Sequence, residues 1–82
     1  MTQPDFAELY GQLTDILRDV FDNDTLTATP ELTASMVEGW DSMGNVRLFL
    51  AIEQQFGVRF RAAEISDIQN LEELVVALAR KL

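Results

Sequence analysis

The chain has 82 residues and a formal net charge of −8, fourteen acids against six bases, with no cysteine and no histidine. Those two absences exclude disulfides, thiolate catalysis, imidazole bases and nearly all zinc or iron ligation. The acid excess repels phosphate backbones and anionic membrane surfaces, so nucleic acid and membrane are not expected partners, whereas basic protein surfaces are attracted and steered.

The length predicts one domain, residues 1–82, with a small core. No apolar run approaches the length of a membrane span. Met1 to Asp5 has neither the basic nor the apolar region of a signal peptide. The lack of cysteine fits a reducing compartment, so a cytoplasmic location is expected, and the charge favours a monomer.

In chain order, residues 4–21 read as an amphipathic helix, with Phe6, Leu9, Tyr10, Leu13, Ile16, Leu17, Val20 and Phe21 at helical spacing. Thr2 is its expected N-cap, with Pro4 and Asp5 in the first turn. Residues 22–40 form a long connection with turn chemistry at Asp22–Thr25 and Thr27–Pro30. Leu26, Leu32, Met36 and Val37 are spaced to pin it to a core, and residues 31–36 can make one helical turn. A loop of this length in a small domain tends to be functional. The second helix covers 42–56 and stops at Gly57. Val58 to Phe60 is an extended link, and residues 62–66 form a short helix. Asn70 opens the last helix, with Glu73 as capping-box partner and Leu71, Leu74, Val75, Leu78 and Leu82 as its stripe. The expected fold is all-α, a small four-helix bundle of three long helices and one short one.

The second helix carries two apolar faces. Successive residues turn by about 100°. Leu48, Phe49, Ile52 and Phe56 therefore gather on one side, which is the core side. Met43, Val46, Arg47, Leu50 and Gln54 gather on the other, and three of those five are apolar where water is expected. Exposed apolar side chains beside a helix start are a candidate docking surface.

Ser42 stands at that helix start, after Asp41 and before Met43. Serine and aspartate at such a junction are usually caps. Asp41 can cap the helix by itself and leave the Ser42 hydroxyl free. A helix N-terminus also stabilises a phosphate through its unpaired N–H groups and dipole, although the Asp41 charge opposes this. Hydrolase chemistry at Ser42 lacks a histidine base and a Gly-x-Ser-x-Gly run, and paired carboxylates would need a cleft that a small bundle rarely has. The protein is not expected to be an enzyme.

The run Asp41-Ser42-Met43-Gly44-Asn45-Val46-Arg47-Leu48 resembles the Asp-Ser-Leu signature of acyl carrier proteins. Ala51 to Val58 looks like the end of that family's second helix. The acidic balance, the long first loop and the Ile65…Leu71…Leu74 tail also fit. The resemblance implies that a phosphopantetheinyl transferase moves 4'-phosphopantetheine from coenzyme A onto Ser42. The arm then holds acyl groups as thioesters, so a chain without cysteine imports its thiol. Partners implied in this way are that transferase, an acyl-loading ligase or acyltransferase, and synthase or modifying enzymes with basic docking patches. Those patches would read Met43, Val46, Arg47, Leu50, Glu53 and Gln54. Arg47 and Gln54 stand where many fatty-acid carriers have acids. Trp40 and Gly44 are more like discrete carriers of specialised pathways, so the leading reading is a free-standing carrier for polyketide or modified-acyl synthesis. Asp-Ser-Met-Gly is also similar to D-alanyl carriers, which makes an aminoacyl carrier the alternative, while the Gly-Gly pair of peptidyl carriers is missing. A helical interaction module without a covalent cofactor is the third reading.

Overall fold

The computed structural model describes residues 5–82. Four α-helices follow one another: α1 (Phe6–Val20), α2 (Ser42–Phe56), α3 (Ala62–Asp67) and α4 (Leu71–Lys81). A 3-10 turn at Ala34–Met36 interrupts the long loop before α2. The all-α expectation of three long helices and one short one holds, and no strand occurs among the described residues.

Each long helix begins where a side chain can accept an orphan N–H. Asp5 caps α1 by accepting from Ala7 N–H at 2.9 Å. This corrects the start expected from the sequence: Asp5 is the cap and not part of the first turn. Thr2 and Pro4 lie outside the described residues. Asn70 caps α4 through Glu73 N–H at 2.9 Å, but the Glu73 carboxylate accepts from Gln69 N–H at 2.6 Å, one residue before the partner expected in a capping box. Gly57 ends α2 at φ 67, a left-handed conformation that costs glycine little.

α1, α2 and α4 enclose one core. Leu9, Leu13, Ile16 and Leu17 of α1 meet Leu48, Phe49 and Ile52 of α2 and Leu71, Leu74, Val75 and Leu78 of α4. The long loop joins this core through Ala28, Leu32 and Val37, with Leu26 partly buried. Met36 is not one of its anchors: it is 64% exposed, because the short turn points it outward. Phe6 and Leu82 are likewise half in water at the chain-end sides of their helices, so the α1 and α4 stripes are shorter than their sequence patterns suggest.

The loop is held by its backbone. Thr14 Oγ1 accepts from Ala28 N–H at 2.9 Å, and Arg18 Nε donates to Leu26 O at 2.7 Å. Two N–H groups at the start of α4, on Leu71 and Glu72, donate to Leu32 O and Pro30 O. The loop therefore supplies acceptors that the α4 terminus would otherwise lack.

α3 is tied to α4 by a pair at its centre. Glu64 accepts from Arg61 N–H at 2.8 Å and is paired with Lys81 Nζ at 2.9 Å, while Lys81 also lies 5.0 Å from the Phe60 ring centroid. The Arg61 N–H, and then Lys81, hold the Glu64 carboxyl below the ordinary glutamate range. A carboxylate whose pKa is lowered by folding stabilises the fold above its unfolded pKa and loses that contribution as pH falls through the lowered value. The melting temperature of the wild type should therefore drop more on acidification below the usual glutamate range than that of Glu64→Gln. Identical pH profiles for the two proteins would show that the pair contributes nothing.

Candidate functional site

The Ser42 corner is built by aromatic and glycine contacts around the start of α2. Trp40 stacks on Phe21 with ring centroids 5.5 Å apart. Its indole N–H donates to Asn45 Oδ1 at 2.9 Å, and its backbone N–H donates to Val37 O at 3.2 Å. Gly39 turns at φ 91, which admits glycine readily and other residues at a cost. The chain then enters α2 so tightly that a Cβ on Gly44 would run into the Gly39 carbonyl oxygen and lie 2.8 Å from a Phe21 ring carbon.

That contact sets the sign of a test. Alanine is ordinarily worth about 1 kcal/mol over glycine inside a helix. Here the backbone oxygen cannot yield without moving the Ser42 turn, and overpacking of this kind costs about 1–3 kcal/mol. Gly44→Ala should therefore lower the melting temperature; a rise would show that the corner is loose.

Asp41 and Ser42 divide the work of the helix start. Asp41 Oδ1 accepts from Gly44 N–H at 2.8 Å, and the Asp41 carbonyl accepts from Asn45 N–H at 2.8 Å. Ser42 is the first residue of α2 and is exposed. Among the described residues its hydroxyl makes no hydrogen bond. The cap is thus the aspartate, and the serine oxygen is left reachable.

A groove of about 390 Å³ opens beside Ser42, between the 3-10 turn, α2, α3 and the start of α4. Its polar side chains are Thr33, Asp41, Ser42, Asn45, Gln69 and Asn70, and its apolar ones are Ala34, Trp40, Phe49, Ile65, Ile68, Leu71 and Leu74. Sequence reasoning did not find this groove, because its walls come from four separate segments that no spacing rule connects. The one local signal was the unusual length of the loop.

The outward positions of α2 are where the helical periodicity puts them. Met43 is 73%, Val46 58% and Leu50 51% exposed, and Arg47 and Gln54 are exposed as well. Met43 adjoins Ser42, and the ridge runs down the helix from it. Glu53 differs from its expected role. It is half-buried, and its Oε2 accepts from Phe60 N–H at 2.7 Å, so the carboxylate fastens the link after α2. It sits eleven residues along α2 from Ser42, on the order of 16 Å away along the axis.

The residues present suit a phosphopantetheine arm. The oxygen at Ser42 is free, and the Ser42 and Met43 N–H groups have no acceptor among the described residues and favour a phosphate. The neighbouring groove is polar at some walls and apolar at others. An unbonded hydroxyl at a helix tip beside a groove is an arrangement that an attached arm and its cargo can use.

The comparisons with known proteins agree. The chain belongs to the phosphopantetheine attachment site family, whose sequence profile matches residues 11–78. Among solved structures it is similar to the holo acyl carrier protein from Geobacter metallireducens, at 29% identity over 88% of this chain and 83% of that one, with a TM-score of 0.84. No significant match is found among curated proteins. The chain is therefore a carrier protein of the acyl carrier type, and its cofactor is covalently attached 4'-phosphopantetheine. Carriers of this type interact with a phosphopantetheinyl transferase and with acyl-handling enzymes. No described helix is long and apolar enough to cross a membrane.

Proposed function

We propose that Ser42 is the attachment residue and that the chain carries acyl intermediates for a specialised pathway of the polyketide or modified-acyl kind. The observation that carries the first part is the free Ser42 oxygen: Asp41 holds the cap, so a transferase reaches the hydroxyl without dismantling the helix start. Bound there, the group supplies the thiol on which acyl chains are held as thioesters. The chain's own contribution is placement. The N-terminal N–H groups of α2 offset the phosphodiester charge, Trp40 and Asn45 fix the corner through their hydrogen bond, and the groove offers the arm and its cargo a partly apolar wall.

The second part is supported by Arg47 and Gln54 on the outward face of α2, by Trp40 before the Asp-Ser pair and by Gly44 after Met43. An aminoacyl cargo is the competing reading, favoured by the Asp41-Ser42-Met43-Gly44 run. The partner enzymes separate the two. Loading by an adenylating ligase specific for an amino acid supports the aminoacyl reading, and loading by an acyltransferase or acyl ligase supports the acyl one.

The loading reading is tested directly. Incubation with coenzyme A and a broad-specificity phosphopantetheinyl transferase should raise the intact mass by one phosphopantetheine unit. An unchanged mass with an active transferase would remove the proposal.

A further inference from the structure

Two asparagines line the groove beside Ser42, and the orientation of both amides is fixed. Asn45 Oδ1 accepts from the Trp40 indole N–H at 2.9 Å, and Asn70 Oδ1 accepts from Glu73 N–H at 2.9 Å. An indole or backbone N–H can only donate, so the partner atom has to be the amide oxygen in each case. Each side chain is left with its Nδ2 donors, which have no acceptor among the described residues. No side-chain nitrogen or oxygen sealed from solvent lacks a partner among those residues, so both Nδ2 atoms reach open space. Both asparagines are half-buried, and the groove is the opening they share. Asn45 stands three residues along α2 from Ser42, on the same side of the helix, and Asn70 stands at the start of α4. Phe49, Ile65, Leu71 and Leu74 supply the apolar wall.

We propose that this groove selects an acyl chain that carries oxygen, a keto or hydroxy acid, over a saturated chain of the same length. Oxygens of the loaded chain accept from Asn45 Nδ2 and Asn70 Nδ2, while its methylenes lie on the apolar wall. A β-ketoacyl thioester has two carbonyl oxygens and matches the two side chains. A saturated acyl thioester has one, and leaves the other amide covered and unpaired. This selection rests on Ser42 being the attachment residue.

The physical reason is an asymmetry. A hydrogen bond made in place of one to water gains little, whereas a donor covered and left unpaired costs its full desolvation. Apolar walls discriminate weakly between chains of one length, and a site built to hydrogen-bond a substrate rejects the analogue that lacks the polar group. The donors are also held from behind. Trp40 is stacked on Phe21, and Glu73 N–H belongs to the first turn of α4, so neither asparagine is free to turn its oxygen into the groove. The remaining polar side chains do not replace them. The Thr33 hydroxyl is paired with that of Ser35 at 3.0 Å, Asp41 stands at the attachment point where the arm begins, and Gln69 is exposed and keeps its water.

The test compares two cargoes on one chain. The full isotope-labelled protein is loaded by the transferase from octanoyl-coenzyme A and, separately, from β-ketooctanoyl-coenzyme A, and intact mass is measured on each product. The β-ketooctanoyl protein should melt about 4 °C above the octanoyl protein, the order of shift that one net hydrogen bond gives in a domain of this size. Its backbone amides should shift from the unacylated form at Asn45 and between Ile65 and Leu74. Asn45→Asp and Asn70→Asp keep the oxygen that the Trp40 and Glu73 N–H groups need and remove the Nδ2 donors, and aspartate is also a good cap at position 70. Both cargoes are compared within each variant, so a change in the stability of the fold itself cancels. The gap between cargoes should shrink by about half or more in each variant. Equal melting of the two loaded forms, a higher-melting octanoyl form, amide shifts confined to residues outside the groove, or a gap unchanged in either variant would overturn the selection. Normal mass gain without a gap removes the groove's selectivity alone, whereas absent gain on the wild type with an active transferase removes the Ser42 reading.

Discussion

Ser42→Ala protein is expected to gain no mass on incubation with coenzyme A and the transferase, while melting at nearly the wild-type temperature. The two halves of that result come from one arrangement. The Ser42 hydroxyl is exposed and makes no hydrogen bond among the described residues, and the cap of α2 is Asp41, 2.8 Å from Gly44 N–H. Were Ser42 the cap, its loss would cost about 0.5–2 kcal/mol. Alanine in the first helical turn is a good helix former, so the change in stability should stay within about 0.5 kcal/mol, as for other surface substitutions. Retained mass gain in the variant would place the attachment elsewhere. A large loss of stability would show that the hydroxyl is structural.

Ile52→Ala should destabilise the bundle by about 2–5 kcal/mol, the range for deleting a buried aliphatic side chain and leaving a cavity. Ile52 is 0% exposed, on the face of α2 that packs against α1 in the shared core. Leu50, two residues earlier and on the opposite side, is 51% exposed. Leu50→Glu removes a similar apolar volume and adds a charge, yet water already reaches the site, so its melting temperature should change little. Its effect should fall on partner binding, because it breaks the apolar ridge. Thermal melts in which Leu50→Glu is the more damaging of the two would reverse the facing of α2.

Most of the fold follows from the local pattern. The spacing of Leu9, Leu13, Ile16 and Leu17, and of Leu71, Leu74, Val75 and Leu78, states both a helix and its buried face, since side chains three and four apart share one side. The two faces of α2 were legible for the same reason, and so were the Gly57 stop and the split of duties between Asp41 and Ser42. Errors collected where the pattern meets an end. Met36, Phe6 and Leu82 have the right residue type and the right spacing, but a stripe buries only those positions that another element covers. Glu53 was legible as a polar residue near the edge of the outward face. That its carboxylate would bend round to the Phe60 N–H was not, because that bond depends on the path of the link after Gly57.

What the sequence determines by itself is a small acidic helical chain without its own thiol, with a serine at the tip of a two-faced helix; the carrier role comes from the resemblance of the Asp41–Leu48 run to acyl carrier proteins. Helical periodicity and capping are short-range effects, complete within a few residues, so they can be read along the chain. The tertiary structure alone decides the groove of about 390 Å³ beside Ser42, the Phe21–Trp40 stack, the close approach of Gly39 to Gly44, and the removal of Glu53 from the outward face. The groove and the Phe21–Trp40 stack join segments far apart in sequence, the Gly39–Gly44 approach depends on the backbone path into α2, and the Glu53 bond turns on one side-chain rotamer. Such contacts form only when the core has brought the helices together, and close packing then leaves one arrangement for them.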